Sequence, residues 1–178
     1  MSTHHDRRAE EHELQRQLRD LISLAVVGDH VRWVTDDAGL ADWLATAIAE
    51  WRAWADRVAR QLSASGVAPD GRVRSLAKDI SLNWVPEGWL SADQARGLLA
   101  GRLAMVARSA RFRHSQADGA NAQVLAFVAT RLEAQMRSLR DLATAPRGNQ
   151  IDTGGVDPND SGSQAERSRA KVDGVTAR

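Results

Sequence analysis

Apolar side chains recur in steps of three and four along residues 40–62, at Leu40, Trp43, Leu44, Ala47, Ile48, Trp51, Trp54, Ala55, Val58 and Leu62. That period draws one wide stripe down a helix of about six turns. So wide a face needs packing partners on more than one side, which predicts the inner helix of a bundle. The same period predicts three more helices. Leu14, Leu18, Leu21, Ile22, Ala25 and Trp33 carry the first, from near Asp6 (with Thr3 as the alternative cap) to about Thr35. Asp6, Glu10, Glu11 and Glu13 crowd its opening turns, where the partial positive charge of a helix N-terminus favours carboxylates. The break at Asp36-Asp37-Ala38-Gly39 is short enough to make the first two helices antiparallel neighbours. Ser91 followed by Gln94 is a capping-box pattern for the third, with Leu99, Leu103, Val106 and Ala110 inward and Leu98 and Met105 beside them. Gly97 and Gly101, one turn apart, either permit a close helix crossing or simply lower helix stability. Asp118-Gly119 opens the fourth, with Val124, Phe127, Val128, Leu132, Leu139 and Leu142 inward and Pro146 and Gly148 ending it.

The connection between the second and third helices is long. Ser65-Gly66 stops the second, Ala68-Pro69-Asp70-Gly71 is a turn signal, and residues 72–80 hold a short helix with Leu76 and Ile80 inward. Trp84-Val85-Pro86-Glu87-Gly88-Trp89 is too broken by Pro and Gly to continue it. Short, long, short is the connectivity of a bundle with one crossover. The expectation is therefore an all-α, ferritin-like four-helix bundle over residues 6–145, its one long crossover carrying a short helix. Residues 146–178 lack aromatic residues and any sustained period, which predicts a disordered tail.

Composition excludes more than it assigns. The 178 residues contain no cysteine, so disulfide and thiolate chemistry are absent. No apolar run approaches the roughly 20 residues of a membrane span, and no signal peptide opens the chain; the expectation is a cytoplasmic protein with no membrane partner. Basic and acidic residues number 24 and 23, a balance that does not advertise a nucleic-acid binder. No Gly-rich phosphate loop, nucleophile elbow or zinc-ligand spacing is present.

Three stretches resemble the Dps family, ferritin-like proteins of starved bacteria. Asp29-His30-Val31-Arg32-Trp33 is similar to its His-Trp signature at the end of the first helix. Ala55-Asp56-Arg57-Val58-Ala59-Arg60-Gln61-Leu62 resembles its Asp-x-x-Ala-Glu-Arg segment, and Ser65-Gly66-Val67-Ala68-Pro69-Asp70-Gly71 stands where the family has a Leu-Gly-x-x-Pro turn. The likeness spans roughly residues 10–143. It implies a twelve-subunit homo-oligomeric shell for iron storage, stress protection or nucleoid structure, with iron oxidised at a site shared across a two-fold interface. The ligand set that the family uses largely fails to carry over. Arg32 stands in place of the histidine before the tryptophan, and the first pair on the second helix falls at Ala41 and Ala45, or at Leu44 and Ile48. Asp56 matches the aspartate, and Arg60 replaces the glutamate. One ligand in five survives, and two positions are cations that repel Fe²⁺. The resemblance so read implies a shell subunit whose ferroxidase activity is lost, with Arg32 of a two-fold mate and Arg60 flanking Asp56. Iron is possible as cargo but unsupported by this ligand set.

Two alternatives stand beside that reading: an iron-oxidising mini-ferritin whose metal site has moved, and a helical interaction module that forms no cage. The moved site would use His4, His5 and His12 with Glu11 and Glu13, because a spacing of seven to eight puts either early histidine on one face with His12. The plainer reading of those residues is a solvated terminus. His30 alone reads as a polar neighbour. Arg108, Arg111, Arg113 and His114 form the densest basic patch, read as a solvated helix end that complements the C-terminal dipole, with a pore lining or phosphate contact as the sharper reading. Most of the tryptophans read as core, while Trp84 and Trp89 either anchor a subunit contact or close the bundle end. DNA contact is expected to be weak, through Arg167, Arg169 and Lys171, because the charges of the tail cancel.

Overall fold

The computed structural model describes residues 3–71 and 88–144, with side chains from residue 8 onward. Four α-helices make up the architecture: α1 (Thr3–Val34), α2 (Ala38–Ala64), α3 (Ala92–His114) and α4 (Gly119–Thr144). All four belong to the unit Met1–Ala145. The expected short helix at 72–80, Trp84 and the tail of residues 146–178 lie outside the described residues.

α1 starts at Thr3, a turn before Asp6. The turn to α2 is tighter than the sequence indicated, because Asp37 caps α2 and Gly39 is already helical. The Asp37 side chain accepts from the Leu40 amide at 3.0 Å and also pairs with Arg96 of α3, so one carboxylate closes α2 and ties it to the third helix. The apolar stripe of α2 is buried from Leu40 through Leu62, with Trp51 fully enclosed. At its far end Gly66 takes φ +83, the left-handed conformation that lets a chain leave a helix without a Cβ clash.

Where the chain goes next defines the topology. Gln15 of α1 grips Asp70 at both backbone groups, donating to its carbonyl at 2.7 Å and accepting from its amide at 3.0 Å. The chain returns at Leu90, whose amide donates to the Val34 carbonyl at 2.8 Å beside the Thr35–Leu90 bridge. Gln15 and Val34 are about 28 Å apart along a helix. The two ends of the connection thus lie most of the length of α1 apart, as a long crossover requires. It leaves α1 antiparallel to both α2 and α3, and α2 antiparallel to α4, with Trp43 against Ser138 at one end and Gln61 against Asn121 at the other.

The capping box at Ser91 and Gln94 forms in both directions. Leu99, Leu103, Val106 and Ala110 of α3 and Val124, Val128, Leu132 and Leu139 of α4 are buried. Leu98, Phe127 and Leu142 sit at the rim of the core, and Met105 is exposed. Gly97 and Gly101 have nothing within 4 Å of where a Cβ would stand, so within the chain they permit no close crossing and only weaken the helix.

Trp33 is a correction. It does not continue the stripe of α1 but stands 77% exposed. Beyond Ala25 the inward positions are Val27, Gly28 and Val31, and a residue two places after Val31 points to the far side of a helix.

Candidate functional site

Arg32 on α1 and Asp56 and Arg60 on α2 are all exposed. Of the alternative ligand positions, Leu44 and Ile48 are core residues, whereas Ala41 is half-buried and Ala45 exposed. One carboxylate and two guanidiniums do not match a divalent cation, and among the described residues no three His, Asp or Glu side chains gather as a metal site. No ion pair joins Asp56 to Arg60 among the described residues. His12 is exposed; the side chains of His4 and His5, and all of Arg167, Arg169 and Lys171, lie outside the described residues. His30 is half-buried, with its Nε2 enclosed and without a hydrogen-bond partner among those residues.

What surrounds these positions is more informative than the positions themselves. On α1, Val26, Asp29 and Trp33 follow one another at helical spacing on the side facing away from the core, with Val26 44% exposed. On α2, Ala45, Ala49 and Ala53 are likewise exposed, in line with Asp56. Asp29 pairs with Arg52, which stands beside Ala53, so the two stripes adjoin. Trp89, 79% exposed, is at the same end as Trp33, because its neighbour Leu90 is bonded to Val34. The result is an exposed surface of α1 and α2 that carries Val26, Trp33 and the alanine stripe, with Asp56 in line with the alanines. Burying an indole removes some 150–250 Å² from water, and exposed aromatics of this kind mark association surfaces.

The basic patch at the end of α3 divides. Arg108 is exposed, Arg111 pairs with Glu133 of α4, and the His114 Nδ1 lies 3.0 Å from the Ala122 carbonyl. Arg113 is a correction: it is not on a solvated face but buried against α1. Its Nε donates to Glu13 at 3.1 Å and its Nη1 to Gln17 at 2.8 Å and to Asp20 at 2.6 Å. Glu13, Gln17 and Asp20 are spaced four and three apart, so one face of α1 supplies all three acceptors. Arg102 lies beside the same groove; burial lowers its pKa from the usual value, and the attraction of Asp20 opposes the shift. Nothing local in the sequence marks Arg113 as different from Arg111. The available signal was Gln17, a polar residue at an inward position between Leu14 and Leu21. Gln135 of α4 is its counterpart: it lies among Leu132 and Leu139, and its Oε1 accepts from the Trp51 indole.

No sequence-family model and no curated protein matches the chain. Solved structures do match in fold. The crystal structure of Dps92 from Deinococcus radiodurans superimposes with a TM-score of 0.73 at 20% identity, covering 80% of this chain and 90% of that one. Dps from Microbacterium arborescens in the high iron form gives 0.72 at 16% identity over 81% and 98%. DpsA14 from Streptomyces coelicolor gives 0.71 at 20% identity over 76% and 84%. The four-helix bundle of this chain has the ferritin-like fold of the Dps mini-ferritins.

Proposed function

We propose that the chain is a self-assembling shell subunit of the Dps kind in which iron oxidation at the two-fold site has been lost, so that its role is structural: as a storage shell fed by another subunit, as a partner in mixed shells, or as a nucleoid component. The observation that carries this reading is the exposed face of α1 and α2, where Trp33 and Val26 border the alanine stripe. A face of that kind is stable in water only at a hydrophobic cost of about 25 cal/mol for each Å² left uncovered, and a second copy of the same face would cover it. Arg32 and Asp56 are exposed on the same two helices, and in this reading a charge pair between mates would stand where divalent metal would otherwise be held.

Mass tests the assembly. Sedimentation velocity at micromolar concentration is expected to give a species about twelve times the 19.4 kDa subunit, and Trp33→Glu is expected to reduce it to smaller forms. A wild-type chain that sediments as a monomer or a dimer would overturn the reading. The lost chemistry has its own measurement. Fe²⁺ is expected to oxidise in the presence of the protein no faster than in buffer; saturable oxidation that survives removal of residues 1–5 would contradict this.

A further inference from the structure

The antiparallel register of α2 and α4, with Trp43 against Ser138 and Gln61 against Asn121, brings Glu50 and Arg131 to the same level across the groove between the helices. Opposite charges so placed are within reach of an ion pair, which at an exposed site carries little net worth. Here each is held instead by its own partner, and the two partners lie one turn to either side of Arg131 on α4. The Glu50 Oε2 accepts from the Gln135 Nε2 at 2.6 Å, and Gln135 is itself fixed by the Trp51 indole N–H. The guanidinium carbon of Arg131 lies 5.5 Å from the centroid of Phe127, a ring that Arg57 also covers at 4.2 Å. Among the described residues neither Glu50 nor Arg131 makes an ion pair. Two guanidiniums on one ring repel each other, so Arg131 is short of negative charge where it stands.

Between the separated charges, Ala47 and Ala134 are too small to fill the groove. They leave a cleft of about 350 Å³, which Trp43 and Trp54 also line. The groove is open to solvent on one side, and its aromatic walls and few fixed polar groups could seat one face of a small molecule.

We propose that this cleft binds a small zwitterion with an apolar body, the chemistry of a free amino acid with an aromatic or aliphatic side chain. The ligand ammonium meets Glu50, its carboxylate meets Arg131, and its side chain lies against the indoles of Trp43 and Trp54. The ligand thereby completes, through its own two charges, the ion pair that the register sets up and the local partners prevent. The cleft lies about a third of a turn around α2 from Ala45, Ala49 and Ala53, on the flank that faces α4.

The probe is L-phenylalanine, titrated into the full-length protein while indole emission is followed at an excitation that the ligand does not absorb. Benzoate and benzylamine serve as half-ligands, each carrying one charge. A saturable change with phenylalanine is expected, with either half-ligand about tenfold weaker, the scale of one charge-assisted hydrogen bond. Glu50→Gln and Arg131→Gln are each expected to weaken phenylalanine binding by a similar factor. Ala134→Leu keeps both charges and fills the space, and is expected to abolish binding. The proposal is overturned if phenylalanine does not saturate, if benzoate or benzylamine binds as well as phenylalanine does, or if Ala134→Leu leaves the titration unchanged.

Discussion

The double replacement Glu13→Ala/Asp20→Ala is expected to lower folding stability by about 3–5 kcal/mol, clearly more than Arg113→Met does. The asymmetry follows from who is buried. The Arg113 side chain is 10% exposed, whereas Glu13 and Asp20 keep 27% and 35% of their side-chain surface in water. Removing both carboxylates strands a guanidinium inside the bundle, with Gln17 as its remaining acceptor among the described residues. Removing the guanidinium instead leaves two carboxylates that water reaches, one of them still paired with Arg16 at 3.2 Å. Methionine also refills part of the apolar volume of the arginine stem. Urea denaturation at one fixed protein concentration measures both, since association contributes to apparent stability. An Arg113→Met variant as unstable as the double variant would show that the network acts through packing and not through compensation of the buried cation.

Gly28→Val is expected to destabilise by about 2–3 kcal/mol, the effect of forcing atoms into a filled core. A Cβ at Gly28 would stand 2.5 Å from Cζ3 of Trp51 and 3.0 Å from Cγ1 of Ile48. Trp51 has no room to yield: it is fully buried, its indole N–H is held by Gln135, and Trp43 packs edge-on with ring centroids 6.3 Å apart. The control lies in α3. Gly97→Ala and Gly101→Ala face open space and are expected to stabilise by about 0.5–1 kcal/mol each, through helix propensity alone. The same kind of substitution thus changes sign with its surroundings. Thermal melts that show Gly28→Val within error of wild type would mean that α1 and α2 separate more easily than this contact implies.

The helices, their inward stripes and the crossover were legible because each rests on local spacing. Leu99, Leu103, Val106 and Ala110 share a face by period alone, and Ser91 and Gln94 cap each other across three residues. What escaped depends on another helix. Trp33 is as hydrophobic as Trp51, and hydrophobicity carries no direction; only the inward line through Val27 and Val31 turns it outward. Arg113 finds its acceptors 93 to 100 residues away, so its burial has no trace among its neighbours in sequence. Gly28 becomes special only once Trp51 is placed against it. Of the candidate site, the replaced position Arg32 and the retained Asp56 could be named from the sequence, and both are exposed. The apolar face beside them could not, because no periodic rule separates an alanine packed in the core from one left open on a surface.

The crossover divides the bundle into two helical hairpins, α1 with α2 and α3 with α4, each joined by a short link. Apolar stripes alone would let one hairpin slide along the other by a turn, about 5.4 Å, and still bury leucine against leucine. The polar contacts between hairpins oppose that slide: a one-turn shift would part Arg113 from one of its two carboxylates, and the Trp51 indole from Gln135. Each broken pair would leave a buried donor or charge short of a partner. These few side chains therefore act as a vernier, selecting one vertical alignment among several that are equally greasy.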